Sequence, residues 1–245
     1  MAIELHPLHQ FEIQRLIPLH IGGLDISYTN SALLMTIVVA AITALTVLGT
    51  RKAALVPDRI QSVAEMMYEF VADMVDTNAG HGARAYFPFV FTLFVFILFA
   101  NLFGLVPWSF TITSHIVVTF ALALVVFIGV TIIGFARHGA HFLRLFVPDG
   151  VPPVLLVLLV PIEVLSYFIR PFTLSIRLFA NMLAGHTMLK VFGGFVVMLG
   201  VIGGWAPLAF IVVFTGLELL IAFLQAYVFA ILTCLYLNDA IHLHH

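Results

Sequence analysis

The sequence is poor in charge. Aspartate, glutamate, lysine and arginine make up 9% of its 245 residues, against about 25% in a typical soluble domain. The 10 basic and 12 acidic residues nearly balance, whereas nucleic-acid-binding domains carry a clustered basic surface. The composition therefore argues against both an ordinary soluble domain and a protein whose partner is a nucleic acid.

Motifs for cofactors and covalent cross-links are also missing. A single cysteine, Cys234, lies in an apolar run, so we expect a buried, inert thiol and no disulfide framework. The sequence has no internal repeat, P-loop or zinc-ligand spacing, which predicts no cofactor and no metal site. We expect His6, His9, His20 and the histidines of 242–245 to be solvated side chains rather than metal ligands.

The sequence is rich in long apolar runs. Apolar residues make up 62% of the chain, with 24 phenylalanines, and weakly charged runs long enough to cross a bilayer recur. This predicts an all-α, polytopic membrane protein with about five membrane helices in one membrane domain, residues 1–245. We expect a surface segment, a short helix or strap, over 1–28; a first span over 29–50; a helical hairpin over 86–137; and a longer, tilted hairpin over 152–238.

Residues 57–80 follow a different pattern. Apolar residues recur every three or four positions, while acidic residues take the other positions: Ile60, Val63, Met67, Phe70 and Met74 against Asp58, Glu65, Glu69, Asp73 and Asp76. This spacing predicts an amphipathic helix. Because its polar face is acidic, it would not be held by anionic lipid. We therefore expect it to lie at the membrane interface and to contact another protein.

The basic residues predict the orientation in the membrane. They fall in two loops separated by two spans: Arg51, Lys52, Arg59 and Arg84, then Arg137 and Arg144. Positive residues concentrate on the cytoplasmic side of membrane proteins. The loops at 50–86 and 137–150 should therefore be cytoplasmic, with the N-terminus outside. The first 14 residues lack the basic and apolar regions of a signal peptide, and we expect none.

The run from Pro152 to Leu199 carries polar residues at membrane depth, where ionisable groups are costly and usually functional. Glu163, Arg170 and Arg177 are spaced by seven, so they share nearly one helix face. Asn181 lies one turn beyond Arg177, and His186 points roughly the opposite way. A helix over this run is too long for one vertical span. It must tilt, kink near one of its prolines, or lie partly in the membrane plane.

A second overlong helix, from Pro207 to Leu237, carries Glu218 and Gln225 on one face. The glycines between Gly193 and Gly204 predict a turn, so the two helices should form a slanted antiparallel hairpin. That hairpin would bring His186 and Glu218 to similar depth.

These residues differ in the chemistry they allow. An arginine stays protonated, so Arg177 cannot relay a proton, but its charge repels cations and favours a nearby carboxylate. Glu163, His186 and Glu218 can each gain and lose a proton. Titratable groups on both sides of a fixed positive charge suit two half-channels separated by an electrostatic barrier.

Two segments, SIRLFANMLAGH over 175–186 and LELLIAFLQAYVFAILTCLYL over 217–237, strongly resemble subunit a of the F-type ATP synthase, the stator half of its proton channel. The likeness is close over Glu163–His186 and Gly216–Asp239, fair over Pro57–Pro107 and weak over residues 1–28. An arginine in the R-L-F-x-N-M-x-A-G context is highly specific.

The resemblance implies a non-catalytic subunit that couples proton flow to rotation. Its partners would be the lipid bilayer, a ring of c subunits whose membrane carboxylate faces Arg177, b-type peripheral stalk subunits and, indirectly, the catalytic sector. Asn181 and Gln225 match positions near the arginine. His186 and Glu218 match the outer half-channel, with Asn101 near its entrance, and Glu163 matches the cytoplasmic half-channel.

Two alternatives remain open on the residues alone. A proton-coupled secondary transporter would normally carry internal repeats and matching broken helices, and a structural scaffold would tolerate loss of Arg177. The N-terminus and length favour a bacterial inner membrane over a mitochondrial one.

Overall fold

The structure, a computed structural model, describes residues 13–18, 20–21, 24–25, 27–51, 54, 56–106, 110–147 and 152–241. Six α-helices follow in chain order: α1 (Asn30–Thr50), α2 (Arg59–Ala79), α3 (Phe87–Gly104), α4 (Ile116–His138), α5 (Pro153–Gly203) and α6 (Trp205–Ile241). Short 3₁₀ helices adjoin them: His81–Tyr86, Ile112–Ser114 and Gly139–Phe146. Four short strands precede α1: β1 (Arg15–Ile17), β2 (His20–Ile21), β3 (Leu24–Asp25) and β4 (Tyr28–Thr29).

Within the described residues, five helical segments are long and apolar enough to cross a membrane: Asn30–Thr50, Gly82–Gly104, Ile116–Phe146, Leu155–Gly203 and Trp205–Ile241. Their length and composition fit the thickness of a bilayer core. The predicted fold class, an all-α polytopic membrane protein, is confirmed.

The segment before α1 differs from a short helix. β1 pairs antiparallel with β4, and β2 pairs antiparallel with β3. Pro18 disfavours a helix here, and the β-branched Ile17, Ile21 and Thr29 favour strands. Of the two expected forms, a short helix or a strap, the described residues therefore do not form the helix. His20 lies in β2, whereas His6, His9 and the histidines of 242–245 lie outside the described residues.

Helix α2 packs on α3 and α6 through its C-terminal half. Val71, Met74 and Val75 are buried there. Ile60 and Val63, at the other end of the predicted apolar stripe, are 45% and 48% exposed. Most of the buried residues of α2 therefore lie in its C-terminal half. Near its beginning Gln61 is buried, whereas Ile60 and Val63 keep apolar side chains exposed.

The predicted long hairpin is formed by α5 and α6. Across the 51 residues of α5 the backbone leaves helical angles only at Gly200, with φ 62° and ψ −161°, a conformation that glycine adopts without steric cost. Pro161 and Pro171 lie inside α5 without such a break. The turn therefore falls at the end of the predicted glycine-rich region.

Aromatic and apolar contacts join the hairpin to the rest of the bundle. The rings of Phe192 and Phe210 stack across the hairpin at 4.0 Å between centroids. Phe94 of α3 and Phe229 of α6 are almost fully buried in the main core. Cys234 is buried in the same core, as predicted. Helix α3 therefore packs against α6 through this core.

Candidate functional site

His186 of α5 and Glu218 of α6 meet inside the hairpin. Nδ1 of His186 lies 3.3 Å from Oε1 of Glu218, and the two side chains are 9% and 3% exposed. The prediction that an antiparallel hairpin brings these residues to similar depth is confirmed. A carboxylate and a protonated imidazole at this distance form a buried ion pair.

The hydrogen bonds of the imidazole are compatible with that charged form. Nδ1 of His186 lies 2.9 Å from the carbonyl oxygen of Met182, and Nε2 lies 2.8 Å from the carbonyl oxygen of Gly104. Only a doubly protonated ring can donate from both nitrogens. Neither carboxylate oxygen of Glu218 has a hydrogen-bond partner among the described residues. The contact with His186 is therefore the main compensation for this buried acid.

A glycine makes room for the carboxylate. A Cβ atom added at Gly185 would overlap the Glu218 carboxylate, so α5 and α6 could not approach as closely with any other residue here. The role of Gly185 was not predicted from the sequence. The available signal was an isolated glycine inside an otherwise helical pattern, which often marks close packing.

The end of α3 contacts both helices of the hairpin near this pair. Nδ2 of Asn101 donates to the carbonyl oxygen of Ala222 at 3.2 Å, and Ala222 lies one turn beyond Glu218. Gly104 follows Asn101 by three residues and accepts the hydrogen bond from His186. Gln225, two turns beyond Glu218, is 9% exposed. The structure thus brings Asn101 close to the His186–Glu218 pair and buries Gln225 on the same side of α6.

Arg177 and Asn181 lie elsewhere on α5. Both side chains are exposed, and within the described part of the chain the guanidinium of Arg177 makes no hydrogen bond and no ion pair. Neighbouring Phe172 and Ile176 are 52% and 51% exposed. An uncompensated arginine among exposed apolar residues is costly in a membrane. This side of α5 therefore presents a positive charge without an ion-pair partner among the described residues, on a surface that is otherwise apolar.

The other arginine of the predicted stripe, Arg170, has different surroundings. Arg170 Nη1 lies 3.1 Å from Oδ2 of Asp239 near the end of α6. Its guanidinium also lies over the rings of Tyr167 and Tyr236, at 5.4 and 4.8 Å from their centroids. Arg170 is thus neutralised within the chain and holds the two ends of the hairpin together.

Glu163 lies two turns before Arg170 on α5 and is half-buried. Along a continuous helix its 14-residue separation from Arg177 corresponds to about 21 Å. The structure therefore keeps Glu163 well separated from both Arg177 and the His186–Glu218 pair.

This set of residues can be compared with known proteins. The sequence model of the family described as ATP synthase A chain matches residues 32–238. The chain belongs to this family. Proteins named ATP synthase subunit a are similar over nearly their full length. That of Pelagibacter ubique is 57% identical over 241 residues, covering 98% of this chain and 99% of the relative.

Two further relatives agree. ATP synthase subunit a of Parvibaculum lavamentivorans is 60% identical over 245 residues, covering 98% of this chain and 94% of the relative. That of a Chelativorans species is 61% identical over 245 residues, covering 98% of each chain. Family membership makes this chain a non-catalytic subunit in the membrane sector of a proton-translocating ATP synthase.

Proposed function

We propose that this member of the ATP synthase subunit a family forms two offset proton half-channels against a ring of c subunits, with Arg177 as the barrier between them. The observation that carries the proposal is the contrast on α5 between the exposed Arg177, which lacks a partner in the described chain, and the buried His186–Glu218 pair. The first is a fixed charge and the second is a pair of proton carriers.

The barrier follows from electrostatics. A guanidinium does not release its proton, and its charge repels a hydronium ion. It also favours the ionised form of a carboxylate brought close to it. A ring carboxylate that passes Arg177 would therefore lose its proton on one side and regain one on the other. The same carboxylate would supply the negative charge that Arg177 lacks within this chain.

The proton path needs titratable groups on each side of the barrier. We assign His186 and Glu218 to the outer half-channel, with Asn101 close to it, because the pair lies on the turn side of Arg177. Glu163, on the other side of Arg177 along α5, is assigned to the cytoplasmic half-channel. We assign Asn181, which is exposed one turn beyond Arg177, and Gln225, which is buried on α6, to the neighbourhood of Arg177.

The available energy is adequate for rotation. One elementary charge crossing the membrane releases about 2.3 kcal/mol per 100 mV. Several protons per turn could therefore drive ATP synthesis on a catalytic sector that this chain does not contain.

The remaining partners follow from the surface of α2 and from the distribution of basic residues. Glu65, Glu69 and Asp73 are all exposed on α2, and we propose that this acidic side lies at the cytoplasmic face and contacts b-type peripheral stalk subunits. The membrane would be a bacterial inner membrane. Glu65→Cys and Asp73→Cys should then react with an impermeant thiol reagent from the cytoplasmic side only. Labelling from outside sealed cells would contradict this orientation.

The function itself is tested by passive proton flux in vesicles. Vesicles should contain this chain with the stalk subunits, either with or without the c-ring. A stator half-channel predicts flux only when the ring is present, because neither half-channel crosses the membrane alone. Flux of equal size without the ring would indicate a self-contained channel or transporter and would contradict the proposal.

A further inference from the structure

A cavity of about 370 Å³ opens beside the His186–Glu218 pair, between the end of α3 and the two helices of the hairpin. It is lined by Leu105, Val106, His186, Lys190, Ile211 and Thr215, among others. Lys190 is the charged side chain in this lining that has no role in the proposed proton path. It lies one turn beyond His186 on α5, towards the hairpin turn.

No described residue neutralises the charge of Lys190. Its side chain is half-buried, and among the described residues its ammonium has neither a hydrogen-bond nor an ion-pair partner. Side chains four residues apart on a helix are neighbours, so Lys190 and His186 line the same part of the cavity. A lysine stem can cross apolar surface while the ammonium reaches water. Lys190 can therefore stay charged within reach of the pair.

The other groups around the cavity do not neutralise this charge. Helix α6 contributes Glu218, which already contacts His186. Helix α3 contributes Asn101 and the carbonyl of Gly104, neither of which titrates. The segment before α4 contributes one further titratable side chain, His115, whose ring stacks on Phe110 at 4.9 Å between centroids. Among the described residues that line the cavity, Lys190 is thus the one basic side chain besides His186.

We infer that Lys190 lowers the proton affinity of the His186–Glu218 pair at the outer entrance through its positive charge. This inference rests on the proposed function, since it needs that pair to carry protons. Because Lys190 lines the same cavity as His186, its positive charge opposes protonation of the pair, and this effect is strongest where water is scarce. Lys190 would therefore set the outer pH at which the pair fills, without carrying protons itself.

The test is the pH profile of passive proton flux through the complete membrane sector in vesicles, with the pH varied on the outer side. We expect Lys190→Gln to move the half-maximal flux to higher pH by about half a unit or more. Lys190→Arg keeps the charge and should keep the profile of the unchanged protein. Arg144→Gln removes one positive charge from the 137–150 loop and serves as the matched control for a change in net charge.

A chemical rescue separates charge from packing. Lys190→Cys should show the same alkaline shift as Lys190→Gln. Reaction from the outer side with an aminoethyl thiosulfonate reagent restores an ammonium and should restore the profile, whereas a neutral reagent of the same size should not. Cys234 is buried in the core, so the introduced thiol is the one within reach of the reagent.

The outcomes are distinguishable. An unshifted profile in both Lys190→Gln and Lys190→Cys, with normal flux, would overturn the inference and leave the proposed function intact. A shift that the neutral reagent also reverses would mean that Lys190 acts by filling space, which likewise contradicts the inference. A membrane sector without ring-dependent flux at any pH would instead contradict the proposed function, and the inference would fall with it.

Discussion

Helix α5 carries two arginines seven residues apart, and the chain treats them differently. Arg170 is held by Asp239 and lies over two tyrosine rings. Arg177 is exposed and lacks both a hydrogen bond and an ion pair within the described residues. The same contrast extends along the helix, because His186 is buried against Glu218 while Asn181 is exposed.

The difference separates an arginine that the fold neutralises from one that it leaves exposed. A charge removed from water is tolerated when it is paired and hydrogen-bonded, as Arg170 is. An arginine left unpaired on an apolar surface is costly in a membrane, and in our proposal the carboxylate of the c-ring compensates its charge. We therefore expect loss of Arg170 to affect stability, and loss of Arg177 to affect coupling.

The largest effect is expected from Arg177→Ala. We predict that coupled ATP synthesis is abolished while the complex still assembles, because the barrier between the half-channels is lost. Arg177→Lys should rescue poorly, since a desolvated ammonium is a compact charge that can release its proton. The measurements are ATP synthesis and ATP-driven proton pumping in vesicles, with assembly checked separately. Normal proton pumping in Arg177→Ala would contradict the assignment of coupling to Arg177.

The next effect concerns the close approach of α5 and α6. Gly185→Ala places a methyl group against the Glu218 carboxylate. Overpacking of this kind costs about 1 to 3 kcal/mol of stability. Moving the carboxylate to relieve the overlap would separate Glu218 from His186, so we expect proton flux to fall. Gly216→Ala is the matched control, because a Cβ there meets no atom within 4 Å. Equal flux in the two variants would mean that the spacing at Gly185 is not required.

A smaller, partial effect is expected from the buried pair. Either His186→Glu or Glu218→His alone should slow passive proton flux, because two like groups then face each other and no longer favour each other's charged form. The barrier should remain, because Arg177 is unchanged. The exchange of both residues should restore more flux than either single change, since the two protons belong to the pair. If the exchange is no better than the worse single variant, His186 contributes packing rather than proton transfer.

The smallest effect is expected from the ion pair between Arg170 and Asp239, which forms within the chain. Arg170→Gln should lower the free energy of unfolding by about 1 kcal/mol, because the ion pair is only partly buried. Asp239→Asn should have a similar effect, and the double variant should lose less than the sum of the two. The measurement is thermal stability of the purified complex together with its rate of ATP synthesis. Abolished synthesis in a stable Arg170→Gln complex would place Arg170 in the mechanism as well.

Sequence patterns predicted the hairpin because its determinants are local. The glycines near Gly200 mark the turn, and counting residues back along both helices brings His186 and Glu218 together. The exposed Arg177 and the buried His186 also follow from helical spacing. These features depend on periodicity and length, which a sequence contains.

Other features depend on contacts between distant parts of the chain. The partner of Arg170 is Asp239, 69 residues away, and helical spacing grouped Arg170 with Arg177 instead. The close approach at Gly185 appears only when α6 is positioned against α5. The short strands before α1 were missed because two-residue pairings carry almost no periodic signal.

The central claim is that Arg177 alone prevents protons from passing between the half-channels without rotation. It is tested most directly by passive proton flux through membrane sectors in which the c-ring is cross-linked to the stator and cannot turn. The account predicts no flux in the unchanged protein or in Arg170→Gln, and measurable flux in Arg177→Ala. A locked ring that blocks flux equally in Arg177→Ala would contradict it.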